Sequence, residues 1–140
     1  MIVLDTNVIS EVVKPAPAAE VVEWLNSQES SDLFVTTITL GEISYGVQIL
    51  PDGNRRTSLS RAVNRFVDQA FGDRVLVFDQ ESAYGYGEVM AGRRKLGRPL
   101  SAPDGQIAAI TRRHRFQLAT RNTNDFEECG IGLINPFTCD

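Results

Sequence analysis

The chain has 140 residues, of which 42% are apolar and 23% charged, and its formal net charge is −4. That length suits one domain, expected to span residues 1–140, and folding should bury roughly two-thirds of the unfolded chain's surface. The negative charge argues against a protein that coats nucleic acid indiscriminately, and with no apolar run near the ~20 residues of a membrane span and no signal peptide, a cytoplasmic protein is expected.

In chain order, "IVLD" reads as a short buried strand and "NVISEVVK" as a short helix ended by Pro15. "PAAEVVEWLNSQ" reads as a second helix with Pro17 suited to its first turn and Trp24 on its apolar side. "LFVTT" is a strand, and "LGEISYGVQIL" a helix stopped by "PDGN". Ala62, Val63, Phe66, Val67, Ala70 and Phe71 then recur at the spacing of an amphipathic helix. "RVLVFD" is a strand, "ESAYGYGEVMAGRRKLG" a helix despite its glycines, and "PDGQIAAITRRH" a further helix. "FQLATR" and "GLINPF" close the chain as strands. Short apolar strands alternating with helices predict an α/β fold: a mostly parallel central sheet of about five strands, with helices on both faces.

In such sheets ligands bind beyond the carboxyl ends of the strands. Asp5 ends the first strand, Glu42 falls in the first turn of the helix after "LFVTT", Asp104 follows Pro103 at a helix start, and Asp125 lies in the "RNTNDF" loop past "FQLAT". Each has a simpler explanation, since Asp5 can cap a helix and Glu42 or Asp104 can complement a helix dipole. Together they map to one edge, and clustered anions repel unless a cation sits among them. With no His or Cys partner, the donor set is hard and all-oxygen, which suits Mg²⁺ or Mn²⁺ and suits Zn²⁺ poorly. Such a site favours phosphoryl chemistry, with a carboxylate free to take a proton from the attacking water.

The lone His114 stands at a helix end in "TRRHR", and Cys129 and Cys139 lack metal-ligand spacing, so a surface histidine and free thiols are expected. Arg93, Arg94, Lys95 and Arg98 form one basic cluster and Arg112, Arg113 and Arg115 another. Solvated helix faces explain them by default, while arginines flanking the acids, Arg93, Arg94 and Arg121, are candidate phosphate contacts.

"MIVLDTNVISE", "TLGE", "SAPDGQIAAI" and "LATRNTNDF", in this order, resemble the PIN-domain endoribonuclease toxins of the VapC type, in the subgroup of FitB-like proteins. The resemblance covers essentially the whole chain, down to "NPF", and implies a PIN-like three-layer sandwich. It further implies a Mg²⁺- or Mn²⁺-dependent nuclease cutting RNA, a cognate VapB-type antitoxin that blocks the site, and a toxin homodimer that forms a larger hetero-oligomer with the antitoxin. Operator DNA would be met only through the antitoxin.

By carry-over, Asp5, Glu42 and Asp104 fall on the central acids, with Asp5 and Asp104 on the metal and Glu42 assisting through a water or as general base. Cleavage would leave 5′-phosphate and 3′-hydroxyl ends, with one metal or two. Many relatives have Asp where this chain has Asn122, so either Asn122 contributes a neutral oxygen or Asp125 supplies the charge. Thr6, Asn7, Thr120 and Asn122 are expected to orient the acids. The rivals are an inactive PIN-like binding module and, from the residues alone, a phosphatase with Asp5 as nucleophile. The phosphatase typically wants a second acid two residues on, where Asn7 stands.

Overall fold

The structure, a computed structural model, describes residues 1–138, so the expectation for Cys139 lies outside the described residues. Five strands are present: β1 (Ile2–Leu4), β2 (Leu33–Thr36), β3 (Val75–Leu76), β4 (Gln117–Ala119) and β5 (Gly132–Ile134). Six helices alternate with them: α1 (Thr6–Val12), α2 (Ala19–Asn26), α3 (Thr37–Gln48), α4 (Asn54–Ala70), α5 (Gln80–Lys95) and α6 (Ala102–His114). All strand pairs are parallel, in the order β3-β2-β1-β4-β5.

Side chains of a strand alternate between its faces, and β1 uses both. Ile2 and Leu4 pack on one face with Val8 and Ile9 of α1, Val21 of α2, Ile43 of α3 and Val63 of α4. Val3 packs on the other face with Val89 of α5 and with Ile107 and Ala108 of α6. These two apolar layers make the expected three-layer sandwich. Val3 and Leu4 are fully buried, and each contributes about 1.5–3 kcal/mol by leaving water. A strand buried on both faces has no polar position of its own, so the first polar side chain after β1 emerges at the sheet's carboxyl edge. Gly105 in α6 has no Cβ to overlap the Met90 sulfur, which lets α6 lie close against α5.

The structure corrects three local expectations. Pro17 lies outside α2, which starts at Ala19, because the cap residue Ala18 is extended (ψ 127°), with its N–H donated to the Glu11 carboxylate (3.1 Å). The helix after β2 starts at Thr37, earlier than expected, because Thr36 both ends the strand and caps the helix, its Oγ1 accepting from Thr39 N (3.1 Å). Glu42 is therefore in the second turn. The strand expected over "RVLVFD" pairs only at Val75–Leu76, as befits the edge of the sheet. His114 ends α6, half-buried against the Phe116 ring (centroids 5.5 Å apart), and Cys129 is a buried free thiol.

Candidate active site

The chain builds the sheet outward from β1 through β2 to β3, then crosses to the opposite side of β1 to add β4 and β5. The order reverses between β1 and β4, and a crevice opens at their carboxyl ends. Asp5 follows β1 and Thr120 follows β4, and Thr120 Oγ1 donates to Asp5 Oδ2 (2.8 Å). Asp5 also caps α1, its Oδ1 accepting from Thr6 N (2.8 Å), while Asn7 Nδ2 donates to Oδ2 (3.3 Å). Thr120 Oγ1 in turn accepts from Asn7 Nδ2 (3.2 Å) and from Asn122 N (3.1 Å). The β1 and β4 ends are thus tied together by hydrogen bonds centred on one carboxylate.

Glu42 and Asp104 reach the same cleft from α3 and α6. Thr6 Oγ1 donates to Glu42 Oε1 (2.7 Å), linking the first two acids through adjacent residues of the chain. Asp104 sits in the first turn of α6, where Ser101 caps the helix by accepting from Asp104 N (3.3 Å). Asp5, Thr6, Asn7, Glu42, Asp104 and Asn122 line one cleft of about 380 Å³, together with Ser10, Glu11, Lys14 and Arg121.

The acids strain against one another. Asp5 is 4% exposed, and burial pushes its carboxyl up to about 6, with the charges of Asp104 and Glu42 adding to the rise that Thr120 and Thr6 oppose. Asp104 is raised too, by burial first and then by the charges of Glu42 and Asp125. A dication in the cleft would favour the ionised forms of both. The cleft offers oxygen donors with no His or Cys, which fits a hard cation such as Mg²⁺ or Mn²⁺. Among the described residues no three acidic, His or Cys side chains are arranged to hold an ion by themselves. The fit is therefore to an ion that keeps several waters and takes one or two carboxylates, as Mg²⁺ does.

Three expected site residues stand elsewhere. Asp125 is exposed on the 3-10 turn Thr123–Phe126 and is not part of the cleft wall, whereas Asn122 is. The turn leaves the site before Asp125 is reached, so of the two alternatives for the fourth position the geometry places Asn122 at the cleft. Asp125→Asn should consequently change cleavage by less than about threefold, because Asp125 is exposed and acts on the site only as the weakest of the influences on the Asp104 carboxyl. Asn122→Asp should tighten Mn²⁺ binding severalfold by adding a carboxylate to the wall, which calorimetric titration of the two variants would measure.

Arg93 is also corrected. It is 3% exposed, and its guanidinium donates to the carbonyls of Arg98 (2.7 Å), Asp125 (2.7 Å) and Glu127 (2.6 Å), so it is not available to a phosphate. Arg94 is exposed on α5 and is not part of the cleft wall, while Arg121 lines it. Arg112 pairs with Glu88 of α5 (2.8 Å), and Arg113 with Asp79, which caps α5 (3.0 Å). Sequence reasoning did not select Glu11 or Lys14 for the site. The available signal was a carboxylate inside the apolar run "NVISEVV".

Fold and cleft together define a parallel α/β protein with an acidic, all-oxygen site at the switch point of its sheet. Residues 2–131 match the PIN domain family, and the chain belongs to it. It is 39% identical to the VapC ribonuclease Y4jK of Sinorhizobium fredii over 98% of each chain. It is 35% identical to the toxin FitB of Neisseria gonorrhoeae, covering 98% of this chain and 99% of that one. A solved structure of FitAB bound to an IR36 DNA fragment contains a chain that superimposes with a TM-score of 0.93 at 34% identity, covering 100% of this chain and 98% of that chain.

Proposed function

We propose that this protein is the toxin of a type II toxin–antitoxin pair, an endoribonuclease that hydrolyses RNA phosphodiester bonds with Mg²⁺ or Mn²⁺ at the cleft of Asp5, Glu42 and Asp104. The observation that carries the reading is convergence: acids from β1, α3 and α6 share one wall at the switch point of the sheet. Relatives matched along nearly their full length are named as ribonucleases or toxins.

Asp5 and Asp104 are the residues that would hold the cation. When bound, it would lower the pKa of a coordinated water and neutralise charge on the phosphate. The chain's own groups do the rest. Both Asp5 oxygens are fixed by donors from Thr6, Asn7 and Thr120, so the carboxylate meets its ligand without reorganising. Glu42 is held through Oε1 by Thr6, and Oε2 has no protein hydrogen-bond partner among the described residues. That oxygen is suited to accept the proton of an attacking water. Asn122 adds a neutral group to the wall, which limits the repulsion among the acids.

The partner in this reading is a VapB-type antitoxin. An apolar groove of about 640 Å³ between α1, α3 and α4 shares Thr6, Lys14 and Glu42 with the acidic cleft, so one inhibitor could cover both. Exposed Tyr45 on α3 and Ile49 just past its end give apolar surface for a homodimer within a larger complex. The charge of −4 supports contact with operator DNA through the antitoxin alone. No helix among the described residues is long and apolar enough to cross a membrane, in keeping with a cytoplasmic site of action.

Incubating the purified protein with RNA and Mg²⁺, with and without EDTA, tests the reading. Cleavage should stop in EDTA, and Glu42→Gln should lose about a hundredfold or more in rate. Full cleavage in EDTA, or none by the wild type in Mg²⁺, would overturn it.

A further inference from the structure

Glu11 is 7% exposed, yet it carries a charge and lies on the cleft wall. Its Oε1 accepts from Lys14 Nζ (3.1 Å) and from Arg121 Nη2 (3.3 Å), while Oε2 accepts from Ala18 N (3.1 Å). One buried carboxylate thus grips two cations, one from the residues after α1 and one from the residues after β4. A single cation would neutralise Glu11; the second leaves the trio with a net positive charge. Both cations also keep about half their surface in solvent, Lys14 at 57% and Arg121 at 51%.

Arg121 is rooted more firmly than an ordinary surface arginine. Its backbone N–H donates to Asn7 Oδ1 (3.1 Å), its carbonyl accepts from Asn135 Nδ2 (3.3 Å), and its guanidinium lies 3.9 Å from the centroid of the Phe137 ring. Stacking and ion pairing restrict the side chain in advance, which lowers the entropy cost of engaging a ligand. The positive group therefore occupies the same cleft as Asp5, Glu42 and Asp104, on the side built by the end of α1 and the segment after β4. Without this positive group the acids of the cleft would repel the phosphates that flank the reacting one.

Resting on the ribonuclease reading above, we propose that Lys14 and Arg121, gripped by Glu11, form a subsite for an RNA phosphate flanking the bond that is cut. Arginine offers a fork matched to phosphate oxygens, and lysine a mobile point charge beside it. The subsite takes a backbone phosphate and reads no base, so it fixes register without choosing sequence.

Binding of a short single-stranded RNA in EDTA, followed by fluorescence anisotropy across a salt series, tests this without cleavage. Lys14→Ala with Arg121→Ala should weaken binding about tenfold at low salt, and the slope of log affinity against log salt should become shallower by about 0.7 for each cation lost. Arg65→Ala, which removes a charge from the exposed face of α4, is the control. A double variant with the affinity and slope of the Arg65→Ala control overturns the subsite even if the wild type cleaves RNA in Mg²⁺. A wild type that neither binds nor cleaves RNA overturns the nuclease reading, and the subsite with it.

Discussion

Asp5→Asn will abolish RNA cleavage and, in metal-free buffer above pH 6, will leave the protein more stable than the wild type. The first effect follows, under the proposed function, from the loss of a charged oxygen where the cation and the reacting phosphate would meet. Several kcal/mol of charge stabilisation is at stake, or about a thousandfold or more in rate. The second follows from linkage. The Asp5 carboxyl is raised from 3.8 to about 6 by burial, assisted by the charges of Asp104 and Glu42. Between those values the folded protein holds a proton that the unfolded chain has released. Stability from this group is therefore complete below about pH 4, falls as pH rises through the window, and is flat above about 6.

The full difference corresponds to about 3 kcal/mol. Asparagine removes it while its amide oxygen still accepts from Thr6 N; its amide nitrogen gives up the bonds that Oδ2 accepts from the Thr120 hydroxyl and from Asn7 Nδ2, which offsets part of the gain. Asp104, raised in the same direction, and Glu11, held below the usual carboxylate range by Lys14, titrate in both proteins. Urea unfolding of wild type and variant from pH 4 to 8 in EDTA isolates Asp5. Parallel stability profiles would contradict the assignment.

Arg93→Ala will cost about 3–5 kcal/mol, the largest stability loss expected from any single basic residue of the chain. The guanidinium joins the end of α5 to the Arg98 carbonyl and to two carbonyls of the Asp125–Glu127 segment, in a place that water does not reach. Truncation removes the donor to the Arg98 and Asp125 carbonyls, leaves Glu127 O with only the weak Cys129 thiol, and empties the buried space that the guanidinium fills. Lysine cannot reach three carbonyls spread around a planar fork, so Arg93→Lys should recover only part of the loss. Arg98 braces the same loop from outside, donating to the Asn124 carbonyl (2.7 Å) and pairing with Glu127 (3.1 Å). It is exposed, and Arg98→Ala should cost about 1 kcal/mol or less. The denaturation midpoints of the three variants measure the order; equal midpoints for Arg93→Ala and Arg98→Ala would contradict it.

Arg93 also marks the limit of what the chain reveals before it folds. A run of arginines at a helix end looks solvated, and nothing local says that one of them faces a loop more than thirty residues away. The strands were legible, because Ile2, Val3 and Leu4 are apolar without alternation and the next residue is a carboxylate. The convergence of Asp5 and Asp104 was legible for the same reason, since an acid that follows a strand or opens a helix in a parallel sheet has one edge to go to; Glu42 joins them from the second turn of α3, not from the first turn that the sequence suggested. The start of α3 was not, since paired threonines suit a strand, and the capping role of Thr36 appears only when its Oγ1 meets Thr39 N. Asn122 and Asp125 stand three residues apart in a loop, and only the course of the 3-10 turn separates the one at the cleft from the one outside it.

Under the proposed function, the acids at the switch point hold a hard dication. Crystals soaked in Mn²⁺ and measured at the manganese absorption edge test it directly. An anomalous peak within ligand distance of both Asp5 and Asp104, absent from Asp5→Asn crystals, is the result expected. A cleft without a peak at saturating Mn²⁺, or a peak that persists unchanged without the Asp5 carboxylate, would contradict it.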